Sequence, residues 1–323
     1  MTCMWLLRRV FRSLEFNPTM QNIHFTIFQP RFHRLRAKSV RRAMTLVEMV
    51  VAIGVVGLLL SLTLVAVNAI RDNSRRMRCS DNLRQIGIAI ANYESRYRVF
   101  PRGAGVAGHG PLAAILPDIE RDDVYRQIDF SKDVDENPIA KKSRISLYRC
   151  PSTSKQQDVR TDYVINRGTT LSMKRNSPWY FEEGTYPKRS SFTNGSSFTS
   201  LFSETCPLDR NIVQGSLLLL RKRSILEPQD SDRFVEECLA APSNCPVSET
   251  DNGRFWYGAG CMNYFHILTP NKRSCANGGS IQQSLYTANS MHQTGANFLF
   301  ADGHIEFLLN SIDEKVWATY GSR

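Results

Sequence analysis

The 323-residue chain has no C-x-x-C pair, no H-E-x-x-H, no G-x-S-x-G and no P-loop. These absences exclude the signatures of a paired-cysteine zinc site, a zincin helix, a serine nucleophile elbow and a Walker-type phosphate cradle. It also lacks internal repeats and low-complexity tracts, which excludes solenoids and propellers. Acidic residues are nearly missing from the first 43 positions, where nine Lys/Arg stand against one Glu, so that segment carries +8 of the net +11. The other 32 basic and 29 acidic residues leave +3. The basicity therefore belongs to a leader and gives no nucleic-acid-binding face. No charge interrupts the 22 residues from Met49 to Ile70, and an apolar run of about 20 residues is what a bilayer crossing requires.

Arg41-Arg42-Ala43-Met44-Thr45-Leu46-Val47-Glu48 leads into that run. A carboxylate just past a basic flank is costly near hydrocarbon, so a plain anchor has no use for Glu48. The run is too long for the core of a secretory signal, and no A-x-A site follows it. Arg71, Arg75, Arg76 and Arg78 follow the run. The leader holds more charge and enters first, which puts the N-terminus inside and the remainder outside the cytoplasm.

Three segments follow from this. A basic cytoplasmic leader spans 1–43, with Met1 or Met20 as its start. A helix spans 44–98, of which 44–70 crosses the membrane. An extracytoplasmic head spans 99–323. Cys79, Leu83, Ile86, Ile90, Tyr93 and Tyr97 recur at spacings of three and four, and no proline occurs between Pro30 and Pro101. That pattern predicts one helix from Thr45 to Arg98, roughly 80 Å long, with one apolar stripe against the head.

In the head, residues 112–130 predict a short helix bent at Pro117. Strands are expected at Ile145–Tyr148, Asp162–Ile165, Ser197–Ser203, Ser216–Leu220 and Asn263–Leu268. Thr205–Asn289, polar and cysteine-bearing, reads as a variable insertion with no assigned role. Ala296–Phe300 and Ile305–Leu309 flank Asp302-Gly303, a strong hairpin signal because that turn needs positive φ. Ser311–Tyr320 reads as a capping helix. The fold class is α+β: a long N-terminal transmembrane helix followed by a mainly antiparallel β-sheet head. Seven of the eight cysteines lie beyond the leader, on the side expected to be oxidising. An odd number leaves one thiol over, and the spacing leaves connectivity open.

The junction at Ala43-Met44 resembles the type IV prepilin signal, in which a membrane peptidase cuts after a small residue. The chain as a whole resembles a bacterial family of pilin-like proteins of unknown function with a C-terminal H-x9-D-G motif. His292 stands nine residues before Asp302-Gly303. Arg76–Gly87, Leu147–Ser152, Phe192–Thr199 and Glu204 fit in the same order. The chain departs from the pattern at Ala43, where glycine is usual, and at Met44, where phenylalanine is usual. It also has Asn194 where aspartate is common and His304 where serine is common.

The resemblance implies cleavage between Ala43 and Met44 and N-methylation of Met44. It implies that Glu48 neutralises the N-terminal amine of a neighbouring subunit, since two unpaired charges in an apolar bundle are costly. It also suggests that Cys79 pairs with Cys150, tying helix to head; Cys238 with Cys245 and Cys261 with Cys275 are candidate local bridges. His292, Asp302 and His304 are candidate cation ligands, although His292 packing on the hairpin and Asp302 shaping the turn is the stronger reading. The expected function is that of a pseudopilin or minor-pilin-type structural subunit of a type II secretion or type IV pilus-like system. It would not be an enzyme, and would use no cofactor, nucleic acid or small-molecule substrate. Its partners would be membrane lipid, the prepilin peptidase and other pilin-like subunits. The alternative is a membrane-anchored surface binding module that does not assemble.

Overall fold

The computed structural model describes residues 45–323, apart from 104–107, 154–158, 172–176, 180–185, 207–216, 221–224, 226–227, 243–252, 254, 259, 261 and 279. Ala43 and Met44 lie outside the described residues, as do Cys245 and Cys261. The chain divides into a first unit ending at Leu58 and a second, Leu59–Arg323.

In the first unit, helix α1 (Leu46–Tyr97) begins, with Glu48 in its first turn. The side chains of Leu46–Thr63 are exposed, and this stretch is long and apolar enough to cross a membrane.

In the second unit, the later turns of α1 bury Cys79, Leu83, Ile86, Ala89 and Ile90. Burial of Leu83, Ile86 and Ile90 is worth about 5–9 kcal/mol together, before entropy is counted. Asp81, Arg84 and Arg98 stay exposed on the other side. Tyr97, expected on the apolar stripe, is exposed because the stripe leaves the core after the half-buried Tyr93. The expected helix over 112–130 is broken into α2 (Pro111–Ala114), a 3-10 turn Leu116–Ile119, and α3 (Asp122–Tyr125). Pro117, lacking an N–H, cannot continue α2, and Glu120 takes a left-handed conformation at φ 60°.

The strands are β1 (Tyr163–Asn166), β2 (Ser200–Glu204), β3 (Leu217–Leu220), β4 (Asn263–Tyr264), β5 (Ser274–Asn277), β6 (Ser280–Leu285), β7 (Gly295–Phe300) and β8 (Ile305–Leu309). Five form one sheet in the order β4-β1-β2-β7-β8, antiparallel except for β4–β1. The later turns of α1 cover this sheet, with Leu83, Ile86, Val164, Phe202, Phe298 and Leu299 in one core. Gly87 permits the close approach, since a Cβ there would stand 2.7 Å from Leu299 Cδ1.

A second sheet, β3-β5-β6, pairs β3 with β5 in parallel and β5 with β6 antiparallel. With helix α4 (Pro228–Ala240) it encloses a smaller core around Leu218, Phe234, Phe265 and Leu285. The stretch read as a variable insertion holds α4, β5 and β6 as well as β3 and β4, which fall on the strands expected at Ser216–Leu220 and Asn263–Leu268. Helix α5 (Glu314–Gly321) closes the first core with buried Trp317.

Two expected strands differ. Ile145–Tyr148 is a 3-10 turn at Ser146–Tyr148, because Tyr148 turns inward and its hydroxyl donates to the Leu112 carbonyl at 2.7 Å. The strand expected over Asn263–Leu268 stops at Tyr264. Phe265 then donates its N–H to Tyr286, and His266 donates to Gly168, so the chain leaves the larger sheet there.

Candidate functional site

Around Glu48 in the first unit, the Thr45 N–H and hydroxyl both donate to Glu48 Oε2, at 2.8 and 3.0 Å, and Glu48 N–H donates back to Thr45 Oγ1 at 3.3 Å. This reciprocal pairing is a capping box at the start of α1. It gives Glu48 a local structural role that the sequence reading did not assign.

In the second unit, Cys79 on α1 and Cys150 are joined by a disulfide, S–S 2.04 Å. A second disulfide joins Cys238 on α4 to Cys275 on β5, at 2.00 Å. Neither candidate local bridge forms: the helical Cys238 faces β5 across the smaller core and takes the partner that had been assigned to Cys261. Cys206 is a thiol that donates to Met291 Sδ at 3.0 Å.

The surroundings of Cys79–Cys150 are polar. Asp162, at the foot of β1, holds the Cys150 turn through Oδ2, which accepts from Cys150 N–H (2.8 Å), Thr153 hydroxyl (2.8 Å) and Arg149 Nε (3.0 Å). Burial raises the Asp162 pKa, and Arg149 opposes that rise. On the other side of the sulfurs stand Glu204, the last residue of β2, and His292, just before β7. One donor atom from each of Cys79, Cys150, Glu204 and His292 lies within 4.8 Å of the others.

The Glu204 carboxylate is buried and fixed. Oε2 accepts from Ser290 hydroxyl (2.7 Å) and Asn297 N–H (3.2 Å), and Oε1 accepts from Asn297 Nδ2 (2.8 Å). His292 Nε2 is 3.8 Å from Glu204 Oε1, with 10% of the side chain exposed, and has no hydrogen-bond partner among the described residues. Burial lowers the His292 pKa; Glu204 opposes this and Arg76 adds to it.

Two clefts flank this cluster. One of about 400 Å³ is lined by Asp72, Asn73, Arg75, Arg76, Met291 and His292. The other, about 550 Å³, includes Arg78, Asp81, Asn82, Gln85, Arg149 and Cys150.

Asp302 and His304 are elsewhere. Asp302-Gly303 turns β7 into β8, with Gly303 at φ +95°. Six residues of β7 separate His292 from that turn, about 20 Å of extended chain. The candidate cation set His292, Asp302 and His304 is therefore not brought together. Asp302 Oδ1 accepts from His304 N–H at 3.1 Å and lies 2.6 Å from His304 Nδ1, while Oδ2 accepts from Ser197 hydroxyl at 2.7 Å. Burial alone would raise the Asp302 pKa, but the bonds from Ser197 and His304 hold it below the usual value. Asp302 is thus a turn-shaping residue.

The model of the family described as "Protein of unknown function (DUF1559)" matches residues 68–315. The chain belongs to that family. No curated protein and no solved structure matches it. The DUF1559 match takes in Cys79, Cys150, Glu204, His292 and Asp302 and leaves Glu48 outside. Sequence reasoning missed Glu204 as a site residue. The available signal was a lone carboxylate closing the uncharged Ser200-Leu201-Phe202-Ser203 run, where a strand about to be buried has little use for charge.

Proposed function

We propose that this DUF1559 protein is a prepilin-like, single-pass membrane protein that serves as a pseudopilin or minor-pilin-type structural subunit of a type II secretion or type IV pilus-like system. The observation that carries the reading is the exposed apolar turn-after-turn surface of Leu46–Thr63, led by Arg41-Arg42-Ala43-Met44 and holding one carboxylate, Glu48. Such a surface needs lipid or like helices around it.

The mechanism is assembly without chemistry of its own. The peptidase removes 1–43, the new Met44 amine is methylated, and the helices pack laterally. Glu48 of one subunit receives the amine of the next. Both Thr45 bonds fall on Glu48 Oε2, leaving Oε1 to take that amine without dismantling the cap. The head is displayed outside the cytoplasm.

Mass spectrometry of the N-terminus, on protein from its native membrane, tests this. A mature chain beginning at methylated Met44 supports the reading, with Glu48→Ala expected to abolish incorporation into filaments while leaving the helix in the membrane. An intact leader in cells with an active prepilin peptidase sinks it and favours the anchored surface-binding module, for which the two clefts in the head are the candidate surfaces.

A further inference from the structure

We propose that Cys79, Cys150, Glu204 and His292 form a redox-gated site for a tetrahedral divalent metal of the zinc class. The site is closed while the sulfurs are bonded to each other and open once they are reduced. This proposal is independent of whether the chain enters a filament.

Three observations carry it. First, two sulfurs, a carboxylate and an imidazole converge from α1, the Cys150 turn, β2 and the start of β7, with donor atoms within 4.8 Å of one another. Two thiolates on one tetrahedral ion stand roughly 3.8 Å apart, given metal–sulfur bonds of about 2.3 Å. Reduction must therefore move the sulfurs by less than the spread the cluster already has. Second, His292 Nε2 is buried, lacks a hydrogen-bond partner among the described residues, and faces Glu204 Oε1 at a distance too long for a hydrogen bond. A ring nitrogen left dry costs free energy that a ligand would recover. Third, Glu204 is oriented from behind by Ser290 and Asn297, as metal-bound carboxylates are. A set of two sulfurs, one nitrogen and one oxygen suits zinc and disfavours magnesium or calcium.

The chemistry balances. A thiolate of a dithiol reductant attacks Cys150 Sγ, whose residue forms part of the larger cleft's wall, and releases Cys79 as a thiolate. The reductant's second thiol then resolves the mixed disulfide. Two electrons and two protons pass to the cysteines, and the reductant leaves as its own disulfide. Metal entry forms two metal–sulfur bonds and returns two protons to water. Two thiolates and a carboxylate around a 2+ ion leave one negative charge, and the Arg76 guanidinium lines the same cleft as His292.

The test uses the full chain in detergent, with cobalt(II) as the probe. After treatment with a phosphine reductant, one equivalent of cobalt should give the visible bands of a tetrahedral ion and sulfur-to-cobalt charge transfer, and zinc should displace it. The unreduced chain should give neither. His292→Ala should weaken binding at least about tenfold, and Glu204→Gln should act in the same direction.

If reduction loosens the head, zinc should restore its near-ultraviolet circular dichroism, because binding free energy is then folding free energy. The proposal is overturned by a reduced chain that gives no tetrahedral spectrum and is not restored by zinc. It is equally overturned by a spectrum that survives His292→Ala with Glu204→Gln, or by equal binding before and after reduction.

Discussion

Cys79–Cys150 and Cys238–Cys275 are the same covalent bond in opposite surroundings. The first has Asp162, Arg149, Glu204 and His292 around it, and Cys150 lines a cleft. The second lies among Leu218, Phe234, Phe265 and Leu285, with both cysteines fully buried. Loop length does not separate them. Sequence separations of 71 and 37 residues give chain-entropy contributions of about 4.4 and about 3.8 kcal/mol. Any difference in behaviour must come from the neighbours. An apolar shell makes a bond inert and purely structural, whereas a shell of carboxylate, imidazole and guanidinium gives freed sulfurs something to do.

The largest effects test the similarity. Denaturant titration of Cys238→Ala/Cys275→Ala and of Cys79→Ala/Cys150→Ala should show each pair losing roughly 4 kcal/mol. A loss from the Cys79 pair of under about 1 kcal/mol would mean that its polar corner already strains against closure, and the two bonds would not be structural equals. Next, Asp162→Asn should cost about 3 kcal/mol, because the carboxylate oxygen shared by Cys150 N–H, the Thr153 hydroxyl and Arg149 Nε is lost as a charged acceptor. It should also free Cys79–Cys150 to limiting reductant while leaving Cys238–Cys275 bonded, as read by alkylation and peptide mass spectrometry. Equal release of both pairs would remove the distinction.

A third effect tests the ground between the two cores. His266 is fully buried against Trp317, with ring centroids 3.8 Å apart, and burial lowers its pKa to about 3, the bond to the Trp317 carbonyl opposing. Below its ordinary value of 6.5 the unfolded chain takes a proton that the folded chain refuses. Stability is therefore complete above pH 6.5 and falls by about 1.4 kcal/mol per pH unit towards pH 3. At pH 5 the loss is about 2 kcal/mol, and His266→Asn should flatten that limb in thermal unfolding scans. The smallest effect concerns the far end of the hairpin. Asp302→Ala should cost about 1 kcal/mol and leave cobalt binding by the reduced chain unchanged. A loss of binding would return Asp302 to the His292 site.

The sequence pattern was most informative where interactions are local. The three-and-four spacing of Cys79, Leu83, Ile86 and Ile90 marks a buried helix face, and Asp302-Gly303 between two apolar runs marks a hairpin; both are in the structure. The smaller core was not legible, because β3 and β5 pair in parallel across 53 intervening residues and no turn signal joins them. Helix α4 did leave a trace: Pro228 at its start, Asp230 in the first turn, and Phe234 and Cys238 four apart. Ile145–Tyr148 has the composition of a strand, but no neighbouring strand meets it among the described residues. The His292 site was half legible. His292 belongs to a motif, whereas Glu204 reaches it only through the pairing of β2 with β7, a contact no short-range pattern encodes.

That pairing also sets a timetable. β2 ends at Glu204 and its neighbour β7 begins at Gly295, about ninety residues later. At roughly 5–20 residues per second of synthesis, β2 waits about 5–18 seconds for the strand that covers its open edge. Until β7 is made, the backbone N–H and C=O groups on the β7-facing edge of β2 have no strand to pair with, and an unpaired edge is a template for pairing with another chain. Trp317 arrives later still. The larger sheet therefore closes as a late, long-range event, and a growing chain of this kind depends on whatever shields β2 until β7 emerges.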